Sequence, residues 1–185
     1  MSHSISYVME YTTDERSGDK IGGLPTHLPT NWPTCGCCQE FMPFIGQLNK
    51  SDRLTLNGNL AIHVYTCLDT RNPHLEVLPP VARENNDGIG ISYQDSVQFI
   101  RYKPVTDPVD QASYMADIDQ YQQLIDKHGH LSADKVDGLF PNDGSDSPLV
   151  TPTNRIIAQL SWRPFEGLVY IYYREGYGFY PIRPL

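Results

Sequence analysis

The chain has 185 residues, of which 14 are basic and 22 acidic, giving a net charge of −8 and an isoelectric point near 5.1. That length suits one domain able to bury a sufficient core without staples, and the acidic balance argues against a nucleic-acid or anionic-membrane surface while suiting a basic protein partner. The opening MSHSISYVMEYTTDERSGDK has no charged-then-apolar leader pattern, and no run approaches about eighteen apolar residues. A soluble, cytoplasmic protein is therefore expected, with its four cysteines in a reducing compartment.

Residues 5–11, rich in β-branched and aromatic side chains, read as an edge strand that ends in a polar turn over 12–19. The next thirty residues pack Gly22-Gly23, four prolines, Trp32 and three of the four cysteines together. Pro25, Pro29 and Pro33 exclude helix and bias their neighbours toward extended backbone, so this passage is expected to cross the surface and deliver Trp32 as an anchor. The cysteines follow at 35, 37 and 38, and the apolar run 41–48 reads as a buried strand. Residues 54–56, then Asn57-Gly58, then 60–65 read as strand, tight turn and strand, because Asn-Gly supplies the positive φ angles of a two-residue hairpin.

A loop at 84–88 precedes a β-rich region over 89–102 that breaks near Gln94-Asp95. One long helix is predicted over 108–127, with Thr106 or Asp107 as cap, Pro108 in the first turn, Ala112, Met115, Ile118, Tyr121 and Ile125 on one face, and Gly129 closing the end. Residues 142–147, NDGSDS, form an acidic loop, and the remainder is strand-rich, with tyrosine-heavy segments at 169–173 and 177–180. The expected fold is α+β, mainly antiparallel sheet, because the connections are too short for repeated helical crossovers.

The chain also repeats itself. Asp19 and Lys20 match Asp134 and Lys135, 115 positions on; the run from Phe44 to Asn49 matches Ile156 to Ser161, 112 on; and the run from Asn59 to Tyr65 matches Gly167 to Tyr173, 108 on. Three matches in one order imply two copies of a turn-strand-strand unit, at about 19–105 and 130–185, joined by the helix within a single domain.

Cys35-x-x-Cys38 has the spacing of a metal knuckle, and Cys67 lies at the end of the neighbouring strand. Buried, unligated thiols are the competing reading. Lys20-Ile21-Gly22-Gly23-Leu24-Pro25, Trp32-Pro33, Cys35-x-x-Cys38 and Phe44-Ile45-Gly46-Gln47-Leu48 together resemble the opening half of the YwqG-like family of bacterial proteins. Cysteine-bearing members of that family read roughly GG-x-P, WP, C-x-x-C-G-x-P-M, F-L-x-Q-L; here Gln39 and Phe41 replace the glycine and proline, while Met42 is kept. The resemblance covers about half of the chain and implies a mostly β, internally duplicated fold. It also implies a further ligand soon after the third cysteine, which makes His74 the fourth member of a C-x2-C-x28-C-x6-H set. Three thiolates and an imidazole would close the tetrahedron around a structural zinc and leave no open position for catalysis.

Other chemistry is sparse. Gly88-Ile89-Gly90 is too short for a dinucleotide loop, and neither a phosphate-cradling loop nor a Gly-x-Ser-x-Gly elbow occurs. His128 and His130 read as solvated loop residues more readily than as a metal pair, and His63 as a packed strand residue more readily than as the base for Cys37 or Cys38. Two functions are weighed. The first is a non-enzymatic immunity protein that neutralises a bacterial toxin by direct binding, an assignment that follows from the resemblance. The acidic loops carrying Glu84 and Asp87, and Asp143 and Asp146, would meet a basic toxin domain. The alternative is a thiol-based or metal-dependent enzyme or redox protein built on the knuckle of Cys35 and Cys38.

Overall fold

The computed structural model describes residues 3–26, 32–54, 56, 60–69, 75–78, 90–108, 118–138, 140, 154–161, 169–174 and 178–182. Its strands are β1 (Ile5–Thr12), β2 (Lys20–Ile21), β3 (Phe44–Asn49), β4 (Ala61–Thr66), β5 (Leu75–Leu78), β6 (Gln98–Thr106), β7 (Lys135–Val136), β8 (Asn154–Leu160), β9 (Val169–Arg174) and β10 (Gly178–Ile182). The protein is therefore almost all antiparallel sheet, and the expected α+β fold with a long joining helix is overturned. Among the described residues there is one short helix, α1 (Ile118–Lys127), and a single 3-10 turn at Gly129–Ser132. The predicted start of the helix is used by the sheet instead. β6 runs on to Thr106, the Asp107 amide donates to the Ser4 carbonyl at 2.9 Å, and the Asp107 carboxylate accepts the Ser6 hydroxyl at 2.7 Å. Residues 109–117 lie outside the described residues. No helix of the described part is long and apolar enough to cross a membrane.

The chain forms two compact units, residues 11–101 and residues 1–10 with 102–185; β1 and β6 each contribute to both. In the 11–101 unit the strand order is β6-β2-β3-β4-β5. β3 is buried from Phe44 to Leu48 and β4 along its whole length, the mark of strands covered on both faces, and this is why both segments read as apolar runs rather than as alternating patterns. β4 pairs with β3 on one side and β5 on the other, so it is not the second arm of a hairpin with 54–56. Leu54 and Leu56 are instead buried as core side chains, and the Asn57-Gly58 turn lies outside the described residues.

In the other unit the order is β10-β9-β8-β7-β1-β6, with Met9, Leu131, Val136, Ile157, Leu160 and Ile171 among its buried side chains. Its internal hydrogen bonding repeats that of the first unit. Lys20 pairs with Gln47 across β2 and β3, and Lys135 with Gln159 across β7 and β8. A bulge falls between Phe44 and Gly46 in one ladder and between Ile156 and Ala158 in the other. Asp19 accepts the Asn49 amide at 2.7 Å, and Asp134 accepts the Ser161 amide at 2.5 Å. The Gln47 side-chain amide donates to the Gly18 carbonyl, and that of Gln159 to the Ala133 carbonyl, each at 2.8 Å. Gly22 and Gly23 turn through the left-handed region at φ 74° and 62°, and Asp137 and Gly138 do the same at 56° and 89°.

The third sequence match is out by one residue. Gly46 faces Val64 and Ala158 faces Ile171, so the separation in β4 and β9 is 107 and not 108. A strand slipped by one residue exchanges its faces, which is why the ladder, and not likeness of apolar residues, sets the alignment.

Candidate metal centre

The cysteines belong to the 11–101 unit, and a short hairpin over 33–42 presents three of them. Met42 donates its amide to the Pro33 carbonyl at 2.9 Å, Thr34 bridges Phe41, and the Cys35 amide bonds the Glu40 carbonyl at 2.8 Å. The tip closes with the Gln39 amide on the Cys35 carbonyl at 2.9 Å, which leaves Gln39 at φ 63°. This is the left-handed region, where glycine carries no steric penalty. Gln39 therefore holds this position under backbone strain.

Turn amides converge on sulfur. The Cys37 amide donates to Cys35 Sγ at 3.3 Å, the Cys38 amide adds a second bond, and the Asp69 amide donates to Cys67 Sγ at 3.4 Å. Cys67 is brought opposite the knuckle because β4 continues past its ladder, with the Thr66 amide on the Pro43 carbonyl at 3.0 Å. The sulfurs of Cys35, Cys38 and Cys67 all lie within 4.8 Å of one another, and those of Cys38 and Cys67 are 3.6 Å apart. All four cysteines are free thiols, Cys37 being exposed and outside the trio.

The spacing fits a tetrahedral metal ion. A disulfide needs about 2.05 Å between sulfurs, whereas two metal–sulfur bonds of about 2.3 Å at a tetrahedral angle hold sulfurs about 3.8 Å apart. Three thiols supply soft donors, and amides aimed at sulfur favour the thiolate that a metal requires. The Cys38 amide, followed by that of Cys37, brings the Cys35 thiol down to about 7 against the effect of its burial, while burial pushes Cys67 up to about 11. Cys35, Cys38 and Cys67 thus lie close enough to hold a metal ion. His74 lies outside the described residues, as do Glu84, Asp87, Asp143 and Asp146.

The site is backed by an aromatic wall. Cys35, Met42, Phe44, Tyr65 and Cys67 form one buried cluster, against which Trp32 and Cys38 pack. Trp32 meets Tyr65 edge-on at 5.6 Å between ring centroids and donates its indole N–H to the Met42 carbonyl at 2.9 Å. His63 shares a strand face with Tyr65 and Cys67. It stacks edge-on against Phe44 at 5.7 Å, and its Nδ1 lies 3.4 Å from the Tyr65 hydroxyl, as a packed core residue.

A polar cluster in the other unit was not foreseen from the sequence. Asp107 is buried and accepts the Ser6 hydroxyl at 2.7 Å, with His130 Nε2 at 3.2 Å. His130 is therefore part-buried and paired, not a solvated loop residue. Lys135 is wholly buried, with its Nζ 5.0 Å above the centre of the Phe140 ring; burial lowers it to about 8, and the Asp107 charge opposes that shift. Nucleophilic catalysis needs a serine that gives its proton to the histidine, whereas Ser6 gives its proton to the aspartate. The cluster is a tie in the core. The one signal for it in the sequence was the match of Lys135 to Lys20, which gave no indication of burial.

Compared with known protein families, with curated proteins and with solved structures, the chain finds no match in any of the three.

Proposed function

We propose that this is a non-enzymatic binding protein whose 11–101 unit is held together by a structural zinc ion. Cys35, Cys38 and Cys67 supply three thiolates, and His74 is the fourth ligand. The observation that carries the reading is the sulfur trio, spaced for a tetrahedral ion and met by amides from its own turns. A closed site of this kind contributes its binding energy to folding and offers no position for a substrate. Elemental analysis of the purified protein should find one zinc per chain, and a metal-free preparation that folds and melts unchanged would refute the proposal.

The partner in this reading is a toxin, and the role is that of an immunity protein of the YwqG-like kind. The resemblance over the first half of the chain and the net charge of −8 support it, because an acidic surface speeds encounter with a basic domain. A toxin gene should lie beside this one, and co-expression with its product should restore growth and yield a stable complex; absence of both would end the immunity reading. Replacing Glu84, Asp87, Asp143 and Asp146 by alanine should slow association, and the difference should shrink as salt rises.

One observation favours a thiol enzyme, namely the lowered Cys35 thiol. Its burial weighs against that reading, since a nucleophilic sulfur must reach a substrate and Cys35 is buried within the cluster of Met42, Phe44, Tyr65 and Cys67.

A further inference from the structure

We infer that Cys38 and Cys67 are a redox pair: a peroxide oxidises them to a disulfide that expels the metal and replaces it as the tie between the 33–42 hairpin and the end of β4. This rests on the metal site proposed above and gives it a means of regulation.

Of the three clustered sulfurs, Cys35 and Cys67 are buried, and only Cys38 is part-exposed, so a small oxidant from solvent meets Cys38 first. Sulfur oxidation follows thiolate character and access, and the lasting product depends on whether a second thiol stands close enough to resolve the first. Cys67 Sγ stands 3.6 Å from Cys38 Sγ, and a disulfide requires it to close to about 2.05 Å.

Cys35 is the other neighbour, and its own turn holds it back. Two amides, from Cys37 and Cys38, fix its sulfur on the inner side of the knuckle, whereas Cys67 accepts one, from Asp69. Joining Cys35 to Cys38 would distort the tight turn that carries Gln39 at φ 63°. Joining Cys67 to Cys38 connects two segments that already face each other.

The Cys38 thiolate attacks one oxygen of hydrogen peroxide, forming the sulfenic acid and releasing hydroxide. The Cys67 thiolate then attacks the Cys38 sulfur, forming the S–S bond and releasing a second hydroxide. Both hydroxides take protons from solvent, so that two thiolates, one peroxide and two protons become one disulfide and two waters. With both sulfurs tied in the disulfide, only two of the four proposed ligands would remain to hold the metal. A dithiol reductant reverses the change and re-forms both ligands.

The test begins with zinc-loaded wild-type protein, its metal content measured beforehand. Hydrogen peroxide is added stepwise while a metallochromic indicator reports free zinc, and alkylated, unreduced digests are mapped by mass spectrometry. The expected result is one zinc released per Cys38–Cys67 linkage, a loss of two mass units, and full reversal by dithiothreitol with added zinc. Cys37→Ser should behave as wild type, while Cys67→Ser should form no fast disulfide at Cys38. A linkage between Cys35 and Cys38, any linkage through Cys37, or zinc release accompanied only by sulfinic or sulfonic acids would overturn the inference. If the protein carries no zinc at the outset, the metal site itself fails. The same mapping on the metal-free chain then tests the sulfur pairing separately, and needs no variant that must fold.

Discussion

Removing the charge of Lys135 tests the electrostatics of the core. Its amine is wholly buried beside Asp107, above the Phe140 ring, and burial holds it near 8 instead of the 10.5 of an exposed lysine. A depression from 10.5 to about 8 corresponds to about 3 kcal/mol, at roughly 1.4 kcal/mol for each pKa unit. Below pH 8 the amine is protonated in both folded and unfolded chains, so the folded state bears the full cost of the buried charge. Between about 8 and 10.5 the unfolded chain binds more protons than the folded one, and stability rises with pH, with most of the gain reached by pH 10. Other groups titrate in that window, so the informative quantity is a difference. Lys135→Met keeps the unbranched stem against Phe140 and removes the titrating amine. Urea midpoints measured at intervals from pH 7 to pH 10 should show the wild type gaining about 2–3 kcal/mol relative to the variant. Parallel profiles for the two proteins would refute the argument, because they would mean that Lys135 keeps its charge through the whole window.

Cys67→Ser should lose the metal and destabilise the 11–101 unit by several kcal/mol, measured by elemental analysis and urea denaturation; a cost of about one or two, with no metal in the wild type, would leave Cys67 an ordinary buried thiol. Gln39→Gly should raise stability by about 0.5–1 kcal/mol at unchanged metal content, read from the thermal midpoint, since it relieves a left-handed backbone at φ 63°. Asp19→Ala and Asp134→Ala each leave a chain amide without its acceptor, at Asn49 and Ser161, and each should cost about 1–3 kcal/mol in urea denaturation. If one is neutral, the corresponding ties are not equivalent in energy.

Much of the sheet was legible because its pattern is local. The apolar runs that became β3 and β4 contain no competing signal, and Asp19, Lys20 and Gln47 reappear as Asp134, Lys135 and Gln159 in the same places of their ladders. The helix misled for a reason that lies elsewhere in the chain. Thr106, Asp107 and Pro108 make a sound start signal, yet Ser4 and Ser6, a hundred residues away, claim the amide and the carboxylate of Asp107. The slip by one residue in the third match has a similar cause. A run such as Leu60-Ala61-Ile62 can be laid against Leu168-Val169-Tyr170 in more than one register, and only the partner strand decides between them. At the cysteine cluster, the spacing of Cys35, Cys38 and Cys67 suggested the trio, whereas the choice between Cys37 and Cys38 depends on which way a turn of four residues aims its side chains. His130 and Lys135 were unreadable as a pair around Asp107, because nothing in their spacing brings in a residue from the end of β6.

All four cysteines lie in one unit, while the other builds the matching ladders, bulge and left-handed turn with none. With zinc held by the trio, nutrition would act unevenly along a single polypeptide. A strong chelator, or a cell starved of trace elements, should soften residues 11–101 and leave the other half as firm as before. Hydrogen exchange would record such a state as one fast half and one slow half.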